Sequence, residues 1–421
     1  MNFAAERIRT WTKILVSVCL LGAVSGCAES PTERGMGGQI APHETTIANL
    51  NNSQTQDKQV PRETAVPPIT VQEESKLTLL AVGDIMVHQE QIESAYVSKR
   101  KSYDFSPSFA RISPLLQGGD IVIGNLETTL SGKEMRYSGY PKFNTPESLL
   151  AALQQAGFTA LTTANNHSLD RREQGVMRTL DHLEKAGIPS TGTFRTAQER
   201  EEPLILEKNG IKLGVIAYTY GTNGIPIPEG KPFLVNLIRP KLIQQDIATA
   251  RARGADIVAV ALHFGDEYQR WPNSYQRSIV DQCLQFGADL ILGTHPHVVQ
   301  PYEWRTVKQA DGRLRRGLVF YSLGNFISAQ RGDYKDVGAI AKVVISKQGS
   351  GTAVIEKAEL IPTYVHYFRT AGKRNYLVYP VEETLRNKQQ QKDPYLTEAV
   401  YHKLQGILGE MSVHATSMTA R

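Results

Sequence analysis

Cysteine is scarce in this 421-residue chain, which has three, at positions 19, 27 and 283. So few thiols cannot build a disulfide framework. No apolar run reaches 18 residues, so no ordinary membrane-spanning helix is written into the sequence. A Gly-rich loop followed by Lys and Ser/Thr is also missing, which argues against ATP-driven ligation by this chain alone. Charge of one sign is not concentrated either: the formal net charge is +5, from 47 Lys+Arg and 42 Asp+Glu. Residues 1–26 hold three basic and one acidic residue, and residues 28–75 three basic and seven acidic, leaving an excess of +7 beyond them. That mild excess suits an acidic ligand. It falls far short of a nucleic-acid-binding stripe, and no nucleic-acid partner is expected.

The N-terminus reads as an address. Arg7, Arg9 and Lys13 precede the apolar stretch ILVSVCLLGAV, which ends in Ser25, Gly26 and Cys27. A basic segment, an apolar segment of about 7–15 residues and small residues at its end make a secretory signal. Val24-Ser25-Gly26-Cys27 resembles a bacterial lipobox, which implies lipidation at Cys27 and a cell-membrane, lipid-anchored location on the extracytoplasmic face. Residues 28–75 are rich in Pro, Gly, Gln, Asn, Ser and Thr and have no aromatic residue, so they read as a disordered tether. Once the signal is removed and Cys27 lipidated, Cys283 alone remains. It lies in SIVDQCLQF, flanked by Ile279, Val280 and Leu284 at helical spacing, as a buried structural thiol would.

From residue 76 onward, short β-rich runs alternate with amphipathic helical segments. Strands are predicted at 77–82, 120–124, 159–163, 211–218, 256–262, 289–292 and 318–322, and helices at 146–156, 174–186, 240–253 and 274–286. This alternation predicts βαβ units and a largely parallel α/β core. Two later runs, 340–345 and 352–360, are separated by KQGSG and predict an antiparallel hairpin. The expected organisation is a signal over 1–27, a tether over 28–75, one body over 76–385 and a helical, polar tail over 386–421.

Residues suited to metal binding recur just after apolar strands. LLAVGD ends in Asp84, IVIGNLE carries Asn125 and Glu127, and LTTANNH carries Asn165, Asn166 and His167. IVAVALHFGDE carries His263 and Glu267, LILGTHPH carries His295 and His297, and LVFYSLGNF carries Ser322 and Asn325. In parallel α/β folds the carboxyl ends of strands are where loops converge on a site. Each motif alone is common as a cap or turn; the six together predict one cleft. Imidazole and carboxylate mixtures suit Zn, Mn or Fe, and a carboxylate can bridge two ions.

GDIM, NLE, ANNH, HFGDE, GTHPHVVQ and YSLGNF, in that order over residues 77–330, resemble the signatures of bacterial CapA-type proteins of capsule and poly-γ-glutamate synthesis. That family is similar in turn to calcineurin-like metallophosphoesterases, which implies a four-layer α/β/β/α sandwich with a divalent-metal centre of one or two ions. The resemblance matches Asp84, Glu127, Asn166, His263, His295 and His297 to metal ligands, with Glu127 bridging, and His167 to the histidine that assists the leaving group. Glu267, Asn325 and Lys142 are candidate substrate contacts. Two positions depart from the metallophosphoesterase pattern: Met86 stands where a histidine is expected, and Glu127 where aspartate is usual. His88 is at the wrong offset to replace the missing imidazole. The implied partners are an acidic polymer, poly-γ-glutamate, and membrane capsule-synthesis proteins. Three roles remain open on the sequence: a metal-dependent hydrolase of phosphoester or amide bonds, a non-catalytic polymer-binding assembly factor, and a lipoprotein whose site is purely structural.

Overall fold

A computed structural model describes residues 74–370 and 372–416. The signal, Cys27 and nearly all of the tether lie outside these residues. Along the chain the first strands are β1 (Glu74–Ile85), β2 (Tyr96–Val97), β3 (Ser102–Tyr103), β4 (Ile121–Leu126), β5 (Ala160–Thr162), β6 (Ser190–Thr191), β7 (Leu204–Lys208) and β8 (Ile211–Thr219). They continue as β9 (Ile257–His263), β10 (Leu290–Thr294), β11 (Tyr302–Lys308), β12 (Leu314–Phe320), β13 (Asn325–Ile327), β14 (Val337–Gln348), β15 (Val354–Thr370) and β16 (Lys373–Pro380).

Two sheets form the frame. An eight-stranded sheet runs β16-β15-β14-β1-β4-β5-β6, with β13 paired to the end of β1, and a six-stranded sheet runs β11-β12-β10-β9-β8-β7. The inner faces of both sheets meet in one apolar layer that includes Leu79, Ala81, Val215, Ala259, Leu292 and Val343. The outer face of the larger sheet is covered through Leu80, Val122, Leu150, Leu153 and Leu180, the last three from the helices Leu149–Ala156 and Arg172–Ala186. The outer face of the smaller sheet is covered through Val258, Ile291, Ile243, Ile247 and Val280, the last three from the helices Pro240–Ala252 and Ser274–Phe286. Three apolar layers separate helices, sheet, sheet and helices, so the body is a four-layer α/β/β/α sandwich, as the sequence motifs implied.

Local chemistry sets the helix ends. Asn273 caps Ser274–Phe286 by accepting from Gln276 N at 2.8 Å, while Gln276 Oε1 accepts from Asn273 N at 3.1 Å. Gly287 ends that helix at φ 110°, in the left-handed region that suits glycine. The helix buries Cys283 completely, and burial pushes its thiol up to about 12, so at neutral pH it stays protonated and inert.

The centre of each sheet is parallel: β1 with β4, β4 with β5, β8 with β9, β9 with β10 and β10 with β12. Parallel strands end at the same edge, which brings the strand-end residues together. The predicted hairpin is present as β14 and β15, paired antiparallel with Val343 opposite Ala358. It attaches beside β1, where Leu79 faces Val343. Close backbone approach then fixes the Ser322–Asn325 loop. A Cβ on Gly83 would lie 1.8 Å from Gly324 O, and Asp84 N donates to that same carbonyl at 2.9 Å.

Over residues 386–416 the segment expected as a helical, polar tail is helical in part and carries buried apolar residues. The helix Val381–Asn387 crosses the expected boundary, and Glu398–Thr416 buries Tyr401, Leu404, Ile407 and Met411 in the layer between the sheets. Those positions recur at three- and four-residue spacing, so a mostly polar composition hides an apolar stripe.

Candidate metal centre

Both sheets contribute. From the larger sheet, β1 delivers Asp84, β4 delivers Asn125 and leads to Glu127, and the loop after β5 carries Asn166 and His167. From the smaller sheet, β9 ends in His263, and β10 ends in Thr294 just before His295-Pro296-His297. His295 and His297 have φ values of 99° and 59°. Non-glycine residues are uncommon there, and such strain gathers at functional sites. The turn aims both imidazoles back across the gap between the sheets.

The contacts are close and buried. Asp84 Oδ2 lies 3.0 Å from His297 Nδ1 and accepts from His295 N at 3.3 Å, while Asp84 Oδ1 accepts from Asn125 Nδ2 at 2.9 Å. Glu127 Oε1 is 3.5 Å from His263 Nε2 and 3.9 Å from His297 Nε2. Asn166 Oδ1 sits 3.0 Å from His263 Nε2, and its amide donates to Asn223 Oδ1 at 3.2 Å. Two donor sets share Glu127: Glu127, His263 and His295 in one, and Asp84, Glu127 and His297 in the other. Within each set the donor atoms lie within 4.8 Å of one another. All six residues matched to metal ligands therefore converge.

Burial and neighbouring charge tune these groups. Burial, then the Asp84 charge, raises the Glu127 carboxyl well above its usual range. Burial also acts to raise Asp84, but the hydrogen bond and charge of His297 outweigh it and hold that carboxyl low. Burial, then the neighbouring imidazoles, lowers His263 well below the usual histidine value. His295 is lowered to about 4, again chiefly by burial.

The residues fit a divalent ion. Both Glu127 oxygens and His295 Nδ1 are buried with no hydrogen-bond partner. A buried polar group left unpaired costs about 1–3 kcal/mol, more when charged. Imidazole, carboxylate and amide oxygen are a donor set suited to Zn, Mn or Fe, and a divalent cation held by these residues would supply the partner that the unpaired atoms lack. A pH dependence follows. Without an ion Glu127 keeps its proton to higher pH than a free carboxyl, whereas His263 and His295 are already neutral. Ion affinity should therefore rise with pH until Glu127 is ionised and then level off, with a proton released on uptake below that point. Calorimetric titration in buffers of different ionisation enthalpy measures this, and uptake without proton release at any pH would remove Glu127 from the ligand set.

The other candidates divide. His167 Nδ1 lies 2.7 Å from Asp170 Oδ2, which also accepts from Phe143 N at 2.6 Å, and the Phe143 ring packs edge-on to His167 with centroids 4.7 Å apart. Lys142 is exposed next to Phe143. Asn325, read as a substrate contact, is fully buried, and its amide donates to Gln330 Oε1 and Lys335 O, which makes it a brace of its loop. Glu267 is exposed, with a carboxylate oxygen near both His295 and His297. His88 accepts from Ala329 N at 3.3 Å and joins neither donor set. Sequence reasoning missed Asp170, although its position three residues after His167 was a usable signal. It also gave no role to Thr294, whose hydroxyl lies 3.0 Å from His263 Nδ1, or to Tyr220 and Tyr268.

The fold and site define a four-layer α/β/β/α protein with metal-type donors gathered at its strand ends. The chain belongs to the family described as bacterial capsule synthesis protein PGA_cap, whose model matches residues 78–330. It is 28% identical over 311 residues to the capsule biosynthesis protein CapA of Bacillus anthracis, covering 72% of this chain and 71% of the relative. It is also 28% identical over 306 residues to the PGA biosynthesis protein CapA of Bacillus subtilis strain 168, covering 71% and 74%. Among solved structures it is similar to the NAD nucleotidase NadN of Haemophilus influenzae, with a TM-score of 0.44, 14% identity and coverage of 81% of this chain and 68% of that one. It is also similar to the calcineurin-like phosphoesterase YfkN of Bacillus subtilis, with a TM-score of 0.38, 15% identity and coverage of 69% and 91%.

Proposed function

We propose that this protein acts outside the cytoplasmic membrane, lipid-anchored at Cys27, in the synthesis or export of poly-γ-glutamate, alongside membrane capsule-synthesis proteins. In this reading its strand-end cleft is a metal-dependent, hydrolase-like centre. The observation that carries the metal part is Glu127, a buried carboxylate without a hydrogen-bond partner, placed between His263 and His297. A bound divalent ion supplies Lewis acidity, making a water more acidic and polarising an oxygen of the scissile group. Asp84, Glu127, Asn166, His263, His295 and His297 would hold it. His167 supplies the proton. With Nδ1–H donated to Asp170, its other ring nitrogen is left to carry a proton to a leaving group.

The rim supports an anionic chain of amides as the ligand. Tyr220 packs on His295 with ring centroids 4.6 Å apart, and Tyr268 on His297 at 6.0 Å. Tyr140 packs on Phe143 at 6.4 Å. All three tyrosines are exposed. Lys335 Nζ sits 5.0 Å from the Tyr268 ring centroid, and Lys142 is exposed near Tyr140. Aromatic faces suit planar amide groups and ammonium groups suit carboxylates, the two repeating features of a γ-linked glutamate chain.

Incubation of the metal-loaded full chain with γ-linked polyglutamate should shorten the polymer, and a chelator should stop it. Gel and light-scattering measurements of chain length follow the change. If the polymer binds but keeps its length, the non-catalytic assembly reading replaces the hydrolytic one. For location, Cys27→Ser should move the protein from the membrane fraction to the soluble one. Full membrane retention of that variant would defeat the lipid-anchor reading.

A further inference from the structure

We infer that Glu267 is a metal ligand, closing the solvent side of the centre next to His295 and His297. This inference rests on the metal-centre reading above and extends it to a residue that the sequence pattern placed among substrate contacts.

A carboxylate oxygen of Glu267 and one nitrogen each of His295 and His297 all lie within 4.8 Å of one another. The backbone of the loop that carries Glu267 is pinned on both sides of it. Phe264 N donates to Thr294 O at 3.1 Å, and Tyr268 N donates to Pro296 O at 2.7 Å, inside the His-Pro-His turn itself. Gln300 Nε2 donates to Gln269 O at 2.8 Å. The two neighbouring acids are sorted by their partners. Asp266 Oδ2 accepts from Asn273 Nδ2 at 2.8 Å, which commits it to the cap of the helix Ser274–Phe286. Glu267 is turned the other way, toward the imidazoles.

Donor chemistry explains why a carboxylate is useful there. The set Asp84, Glu127 and His297 offers two oxygens and one nitrogen. A thioether at Met86 is a soft donor, poorly matched to a hard or borderline divalent ion. Glu267 adds a hard oxygen from the open side, near both His295 and His297. The other set already has Asn166, His263, His295 and the shared Glu127, all buried. Two unequal ion sites result: one enclosed and tight, and one that depends on an exposed carboxylate and is weaker.

The test uses the full-length chain, stripped with chelator and titrated with Mn²⁺ alone, read by calorimetry and by the Mn²⁺ EPR signal. Glu267→Gln removes the charge and nearly preserves shape. Because the side chain is exposed, the variant should melt with the wild type. Loss of an outer-shell partner of a metal typically costs 10–100-fold in affinity, and loss of a direct ligand should cost at least as much. We expect Glu267→Gln to weaken one class of ion at least about tenfold while leaving the tighter class in place. A titration that superimposes on wild type, with wild type binding ions, overturns the inference and returns Glu267 to the substrate side. Failure of wild type to bind any ion instead defeats the metal-centre reading itself.

Discussion

His263→Ala should abolish tight divalent-ion binding, whereas His297→Ala should leave most of it. His263 Nε2 faces both Asn166 Oδ1, at 3.0 Å, and Glu127 Oε1, at 3.5 Å, and the ring is fully enclosed. Its other nitrogen is 3.0 Å from Thr294 Oγ1 and 3.2 Å from Asn125 Nδ2, contacts that fix the ring so that Nε2 faces the donor set. On the proposed function, alanine removes a direct ligand and leaves a void beside Glu127 and Asn166. Affinity should fall by at least about 100-fold, the upper end of what lost outer-shell partners cost. His297 belongs to the other set, which lacks an imidazole at Met86 and leans on Glu267. Its loss should empty the weaker site and spare the tight one. Ion content by elemental analysis and affinity by calorimetry check both variants. Two equally tight ions in the wild type, or the reverse order in the variants, would refute this ranking.

His167→Asn should reduce hydrolytic turnover by about 10²–10⁴-fold, the usual contribution of a general acid, with ion content unchanged. His167 is buried with its Nδ1 against Asp170, and the donor sets of acids and imidazoles form without it, so the proposed function gives it the role of proton carrier. Asparagine keeps a polar group for Asp170 and removes the titratable nitrogen. Ion content and a melting temperature that both stay close to wild type separate this role from a structural one. Equal loss of ion content and turnover would place His167 in the ligand set instead.

The alternation of apolar strands with amphipathic helices, the KQGSG turn and the polar residues after each strand could be read from the chain itself, because they depend on local periodicity and on residue type. The six strand-end clusters were legible for the same reason, since parallel strands end at one edge, and the family resemblance singled out six ligand candidates among them. Asp84, Glu127, Asn166, His263, His295 and His297 do meet there. Local pattern says nothing about partners hundreds of residues away. Only the tertiary structure laid β14 against β1, divided the strands between two sheets, and buried Tyr401, Leu404 and Ile407 of an apparently polar tail. It also turned Asn325 inward as a brace and directed Glu267 toward His295 and His297, leaving Asp266 to cap a helix. Those choices follow from packing and from the pairing of individual polar atoms. They depend on which side chains the folded chain brings within about 3 Å, the reach of a hydrogen bond, and no spacing along the sequence encodes that distance.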